Sequence, residues 1–182
     1  INPNHFESIF SLGTLLLHTQ RFELAKPLLH KATQINPNYA DAHNNLGIVF
    51  KELGEHKKAM SHFQKAIQIQ PNFENAYYNL GVAFDKLNEF QKAIGCYEKA
   101  IQIDPNNTTV HSNLGKFLGE LNHVNEAKKY FEKSLNLNPN REKTCEDYGG
   151  ILLKLNQHNK ALAYIRKGTG FIRFTQKDFK II

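Results

Sequence analysis

Five of the six prolines, Pro3, Pro37, Pro71, Pro105 and Pro139, stand 34 residues apart. Gly13, Gly47, Gly81, Gly115 and Gly149 keep the same step, and so do Ala25, Ala59, Ala93, Ala127 and Ala161. Three ladders in register over one period leave few folds open. Self-similarity at a fixed period means that one supersecondary unit is stacked again and again, because a single globular core does not repeat.

Each period carries two amphipathic stretches. In the third, apolar residues recur at helical spacing and predict helices over 75–87 and 90–103. The small residues Gly81 and Ala93 let the paired backbones approach, while Phe84 and Tyr97 supply bulk around them. Pro105 then stops the second helix, since proline lacks the amide hydrogen and disfavours helix at the residue before it. One such pair cannot bury its apolar face alone, so the pairs must share a core with their neighbours.

Residue types and period together resemble the tetratricopeptide repeat family, whose pattern runs Trp-x2-Leu-Gly-x2-Tyr, then Ala-x3-Phe, then Pro. The Leu-Gly pair is Leu12-Gly13, Leu46-Gly47, Leu80-Gly81 and Leu114-Gly115, with Tyr148-Gly149 in the fifth unit. Leu16, Phe50, Phe84, Leu118 and Leu152 occupy the next aromatic site, and Leu29, Phe63, Tyr97, Phe131 and Ile165 the large apolar site of the second helix. The resemblance implies an all-α tetratricopeptide-type α-solenoid, a right-handed superhelix of antiparallel helix pairs. On this register residues 1–5 end a preceding repeat, and 6–39, 40–73, 74–107 and 108–141 are four repeats. Residues 142–167 make a partial fifth, and 168–182 a C-terminal cap or linker. Gly168-Thr169-Gly170 is expected to break the last helix, because glycine costs about 1 kcal/mol in a helix interior. Ile1-Asn2-Pro3-Asn4 matches Ile35-Asn36-Pro37-Asn38, so a further repeat is expected upstream.

Composition excludes several function classes. No apolar run reaches the roughly 18 residues of a membrane-spanning helix, so no membrane partner is expected. No leader opens the sequence, which favours a cytoplasmic location and leaves secretion open if a leader was trimmed. The net charge of +6 raises nucleic acid as a partner. Yet much of the positive charge recurs at one position, Lys31, Lys65, Lys99, Lys133 and Lys167, and suits a solvated outer face. Nucleic acid would want cations interleaved with aromatics along one groove, so none is expected. The nine histidines include no His-Glu-x-x-His or similar ligand spacing, and no metal or other cofactor is expected. His43 and His111 take the place of the family's tryptophan and read as packing residues. Cys96 and Cys145 read as small apolar fillers. With no phosphate loop, nucleophile elbow or dinucleotide fingerprint, no catalytic residue is assigned.

In a solenoid of this type the first helix of each pair lines the concave side, a trough suited to a peptide or protein ligand. The residue before each Leu-Gly pair is Asn45, Asn79 and Asn113, flanked by Ser11 and Asp147. This row is similar to the asparagine ladder of the repeats of O-linked N-acetylglucosamine transferase, whose amides grip peptide backbone. An amide suits that task because it both donates and accepts, whatever the side chain of the guest; a merely solvated row is the bland alternative. Asp41, Asn44, Ile48, Asn75, Tyr78, Val82, Ser112 and Lys116 are the expected neighbours on that face. The carboxylate clamp of some family members is not expected, because Asn44, Ile48 and Tyr78 stand at its positions. The resulting expectation is a protein-interaction scaffold without enzymatic activity. Two alternatives stand beside it: the substrate-recruiting arm of a larger glycosyltransferase or oxygenase, and a structural scaffold that self-associates through terminal repeats or the C-terminal segment.

Overall fold

A computed structural model describes residues 5–170, 174–175 and 178–181. Among the described residues, ten helices run in pairs. The first helices of the pairs are α1 (Phe6–His18), α3 (Ala40–Glu52), α5 (Glu74–Lys86), α7 (Thr108–Glu120) and α9 (Glu142–Lys154). The second helices are α2 (Phe22–Ile35), α4 (His56–Ile69), α6 (Phe90–Ile103), α8 (Val124–Leu137) and α10 (His158–Thr169). The fold is all-α, with one short antiparallel pair of strands, β1 (Phe174–Thr175) and β2 (Asp178–Ile181), after the last helix. The chain divides into two compact units, Ile1–Pro105 with α1 to α6 and Asn106–Ile182 with α7 to α10 and the strands.

The turn inside each pair has one construction, used five times. Gln20, Gly54, Asn88, Asn122 and Asn156 each take a left-handed backbone, with φ between 58 and 77°. The next amide donates back five residues: Arg21 to the Leu16 carbonyl at 2.8 Å and Glu55 to that of Phe50 at 2.8 Å. This is a Schellman closure, which satisfies the orphan carbonyls of the first helix and turns the chain through the pair. Glycine and asparagine suit the left-handed position, whereas Gln20 holds it against its own steric preference.

The turn between pairs uses the proline ladder. Asn36, at the end of α2, donates its amide to the Ala32 carbonyl, Pro37 follows, and Tyr39 closes the turn onto the Asn36 carbonyl at 3.3 Å. Pro71, Pro105 and Pro139 hold the same place after α4, α6 and α8. The glycine ladder exists for the large residue of the second helix. A Cβ on Gly47 would lie 2.6 Å from the Phe63 ring, and one on Gly149 would lie 2.4 Å from Ile165. Ala25, Ala59, Ala93, Ala127 and Ala161 are fully buried beside these contacts. At the next small position Ser134 replaces alanine, and its hydroxyl is satisfied by the Thr108 carbonyl at 2.9 Å.

The last helix ends within Gly168-Thr169-Gly170 as expected, but later than residue 168: α10 continues to Thr169 and Gly170 turns left-handed at φ 75°. Gly168 itself is helical, and a Cβ there would lie 2.6 Å from the Glu142 carbonyl oxygen, so its smallness serves the approach to α9. The predicted helix over 75–87 is found one residue earlier, at Glu74–Lys86. The expectation for Ile1–Asn4, and that of a cap formed by the side chains of 171–182, lie outside the described residues.

Candidate functional site

The first helices present a stripe at positions i, i+4, i+7 and i+11, spacings that share one face of an α-helix. In the first unit the stripe reads Glu7, Ser11, Thr14 and His18 on α1, then Asp41, Asn45, Ile48 and Glu52 on α3, then Asn75, Asn79, Val82 and Lys86 on α5. In the second unit it reads Thr109, Asn113, Lys116 and Glu120 on α7, then Lys143, Asp147, Gly150 and Lys154 on α9. Most of the expected site residues fall on this stripe.

The asparagine row is wired rather than independent. Asn79 Nδ2 donates to Asn44 Oδ1 at 3.2 Å, and Asn45 Nδ2 donates to Thr14 Oγ1 at 3.0 Å. Asn44 Nδ2 lies 3.5 Å from Asn45 Oδ1 and completes a weak link between them. A chain of amides therefore crosses α5, α3 and α1. Asn44 and Asn79 are each only 6% exposed, so their bonds fix the spacing of neighbouring first helices in a poorly hydrated setting. Each amide has two donors and one acceptor oxygen, and these contacts use one donor of each of the three. Asn45 and Asn113 are half-buried, while Asp41, Asn75 and Lys116 are exposed and Ile48, Tyr78 and Val82 half-buried. Ser112 is buried and donates to the Thr109 carbonyl at 3.1 Å, which turns it away from the role of an open contact.

Between the C-terminal half of α1 and α3 opens a cleft of about 420 Å³. Its lining is mixed: Leu17, Phe22 and Ile48 are apolar, and His18, Gln20, Asn45 and Glu52 are polar. The sequence reading named Asn45 and Ile48 and missed Leu17, His18, Gln20, Phe22 and Glu52. Laying the repeats over one another at positions 17, 45, 48 and 52 was the signal that could have found them. The same cleft recurs three repeats later, between α7 and α9, with a volume of about 200 Å³. Phe131 and Ile151 give it apolar walls, and Lys116, Gly119, Glu120, Asp147, Gly150 and Lys154 complete the lining.

Electrostatics differ between the two faces. In the first unit Lys51 pairs with Glu52 at 3.1 Å, and Asp41 stands exposed on the first turn of α3. In the second, Lys143 bridges Glu146 at 3.0 Å and Asp147 at 3.3 Å, and these carboxylates raise its pKa. Lys154 Nζ donates to the Gly119 carbonyl at 2.8 Å.

Away from the stripe, His43 and His62 meet Nδ1 to Nδ1 at 3.2 Å. The Pro37 carbonyl lies 3.0 Å from His43 Nε2 and can only accept, so Nε2 carries the proton and Nδ1 accepts from His62. Burial keeps His43 below the usual imidazole range, and burial followed by the charges of His43 and His30 pushes His62 down to about 4. Both are neutral packing groups near neutral pH. Burial likewise raises the Cys96 thiol to about 11, so that side chain is no activated nucleophile. Among the described residues no three histidine, cysteine or carboxylate side chains come together as a metal site, and no helix is long and apolar enough to cross a membrane.

Family models agree with the helix pairs. A model described as tetratricopeptide repeat matches residues 40–73 and 74–107, one described as TPR repeat matches 19–54, and a second tetratricopeptide repeat model matches 96–129. No curated protein matches the chain. Among solved structures it is similar to PilF of Pseudomonas aeruginosa, with 29% identity over 91% of this chain and 75% of that one and a TM-score of 0.83. A MamA structure from Desulfovibrio magneticus RS-1 matches with 19% identity over 91% and 93% of the two chains and a TM-score of 0.78. YrrB, described as a TPR protein with an unusual peptide-binding site, matches with 21% identity over 93% and 87% and a TM-score of 0.70. The latter two likenesses speak to the fold.

Proposed function

Because the chain belongs to the tetratricopeptide repeat family, we propose that it is a protein-interaction scaffold that holds a peptide or protein segment against the face of its first helices. The observation that carries this reading is the stripe itself. It combines amides, half-buried apolar side chains and an open cleft, and it is repeated at one spacing on successive first helices. Half-buried Asn45 and Asn113 are suited to backbone groups of a guest, whereas buried Asn79 holds α5 to α3 through Asn44, and Ile48, Tyr78 and Val82 suit its apolar side chains.

Magnitudes decide which of these dominates. Three hydrogen bonds at about 0.5–1.5 kcal/mol net contribute roughly 1.5–4.5 kcal/mol, whereas micromolar binding needs about 8 kcal/mol. The amides therefore set register and orientation, and apolar contacts supply most of the affinity. Because Asn44 and Asn79 also tie helices together, replacing the row tests stability and binding at once and is a poor probe. A photo-cross-linking amino acid placed singly at Ile48, Val82 and Lys116, with Gln68 and Gln102 on second helices as controls, separates the two. Adducts to other polypeptides in source cells are expected from the first three sites alone. Equal or greater yields at Gln68 and Gln102 would remove the first-helix face as the binding surface.

A further inference from the structure

The outer face of the first helix pair is built like an interface, yet it lies open. Leu12 and Leu15 on α1 are 48% and 58% exposed, and Leu24 on α2 is 51% exposed. Leu12, Leu15 and half-buried Leu16 stand at i, i+3 and i+4, spacings that share one helix face. Leu24 holds the repeat position from which Lys58 and Lys92 reach the Phe50 and Phe84 rings, so it adjoins Leu16. Elsewhere the same positions are core. The second helix of the preceding pair packs on each of α3, α5 and α9. There Leu46 and Val49, Leu80 and Ala83, and Tyr148 and Ile151 are buried. Leu12 and Leu15 thus continue, on α1, a contact surface that is already in use between pairs.

The charges of α1 match an interface too. Setting histidine aside, α1 holds one charged residue, Glu7 in its first turn, whereas α3 and α5 hold three each. Interface centres are depleted of charge in this way, while an end repeat that faces water carries a polar outer surface. What can meet this face is constrained by the rest of the chain. Ile35 and Phe90, the other large apolar side chains exposed among the described residues, end α2 and begin α6. The last helix exposes Lys160, Arg166 and Lys167, charges that would lose water against leucines with nothing in return. An uncharged apolar face needs no opposite charge across from it, so it can pair with itself about a two-fold axis, the commonest symmetry of oligomers. Two helices about 20 Å long and about 10 Å wide present about 400 Å², half of the roughly 800 Å² that each partner gives to a stable complex. Such a contact makes a weak, concentration-dependent dimer.

We infer that two copies of this chain associate through the outer face of α1 and α2, with Leu12, Leu15, Leu16 and Leu24 of one copy against the same residues of the other. These residues are distinct from the stripe of Glu7, Ser11, Thr14 and His18 on α1, and the inference stands or falls apart from guest binding. A dimer doubles the stripe, so a partner with two suitable segments is held by both copies.

Sedimentation velocity of the full chain over roughly 1–100 µM tests this, a span suited to an interface of this size. The expected result is a reversible passage from monomer to dimer. Leu12→Glu combined with Leu15→Glu should weaken dimerisation at least about tenfold, with circular dichroism confirming that the helices remain. Leu24→Lys gives α2 the residue that α4 and α6 carry at that position, so it folds, and it should weaken the dimer as well. Lys160→Glu on α10 should leave it unchanged. A monomer at every concentration would overturn the inference, and so would a dimer that the leucine variants leave intact or that Lys160→Glu dissociates. Leu15→Cys should react readily with maleimide in the dilute monomer. Protection there would give the face to another segment and overturn the assignment to a second copy.

Discussion

One cleft is built twice in this protein, and the two versions differ almost completely in content. Backbone, helix lengths and turn closures are the same between α1 and α3 as between α7 and α9. Leu17, Asn45, Ile48 and Glu52 of the first correspond to Gly119, Asp147, Gly150 and Lys154 of the second. The first stays open at about 420 Å³, while the second shrinks to about 200 Å³ with Lys154 reaching the Gly119 carbonyl. The repeat guarantees where a side chain will stand and says nothing of which one it is. Function in such an array is therefore local to a pair of neighbouring repeats.

The largest effect that could break the comparison comes from swapping the cleft floors. Leu17→Gly removes a buried leucine and adds a helical glycine, and about 3–5 kcal/mol of stability should be lost, read as a fall in the urea midpoint. A loss under 1 kcal/mol would mean that the floor of the first cleft is not packed as described.

A second, smaller effect distinguishes the units by pH. The His43–His62 pair of the first unit corresponds to Cys145 and Tyr164 in the second, where Cys145 Sγ meets the Pro139 carbonyl as His43 meets that of Pro37. Burial depresses both histidines in the folded state, to about 4 for His62. Their neutral forms therefore contribute stability that is fully present above about pH 6.5 and lost as pH falls through about 4. Hydrogen exchange should show α3 and α4 losing protection across that window while α9 and α10 hold theirs. Protection that falls equally in both units, or an unchanged acid limb in His62→Gln, would refute the assignment.

The smallest effect sharpens the cleft comparison. Lys154→Ala removes one part-buried hydrogen bond from an exposed side chain and should change stability by no more than about 1 kcal/mol. It should also enlarge the second cleft beside Phe131 and Ile151 and raise the binding of a hydrophobic dye. No gain in dye binding would show that Lys154 is not what fills the space.

Much of the architecture was legible because it rests on local rules. Proline after the second helix and a glycine facing each bulky residue are each readable from a single position and its period. The end of the last helix is instructive. Of the two glycines in Gly168-Thr169-Gly170 it is Gly170 that ends α10, while Gly168 stays in the helix where α9 comes close, because local propensity is a weak prior. The candidate site was legible only as a row of positions. That Asn79 is tied to Asn44, and that Leu17 and Phe22 share a cleft with Ile48, depend on distances between residues more than 20 apart in sequence.

The sequence by itself determined the unit, its length, the number of helix pairs and the face each residue occupies, because a 34-residue period with fixed proline, glycine and alanine positions permits one local solution. The tertiary structure alone decided which of those faces stay open, which amides are spent on holding the stack, and where a cavity survives. Those outcomes follow from side-chain volumes and hydrogen bonds meeting across neighbouring helices, and no single repeat encodes them.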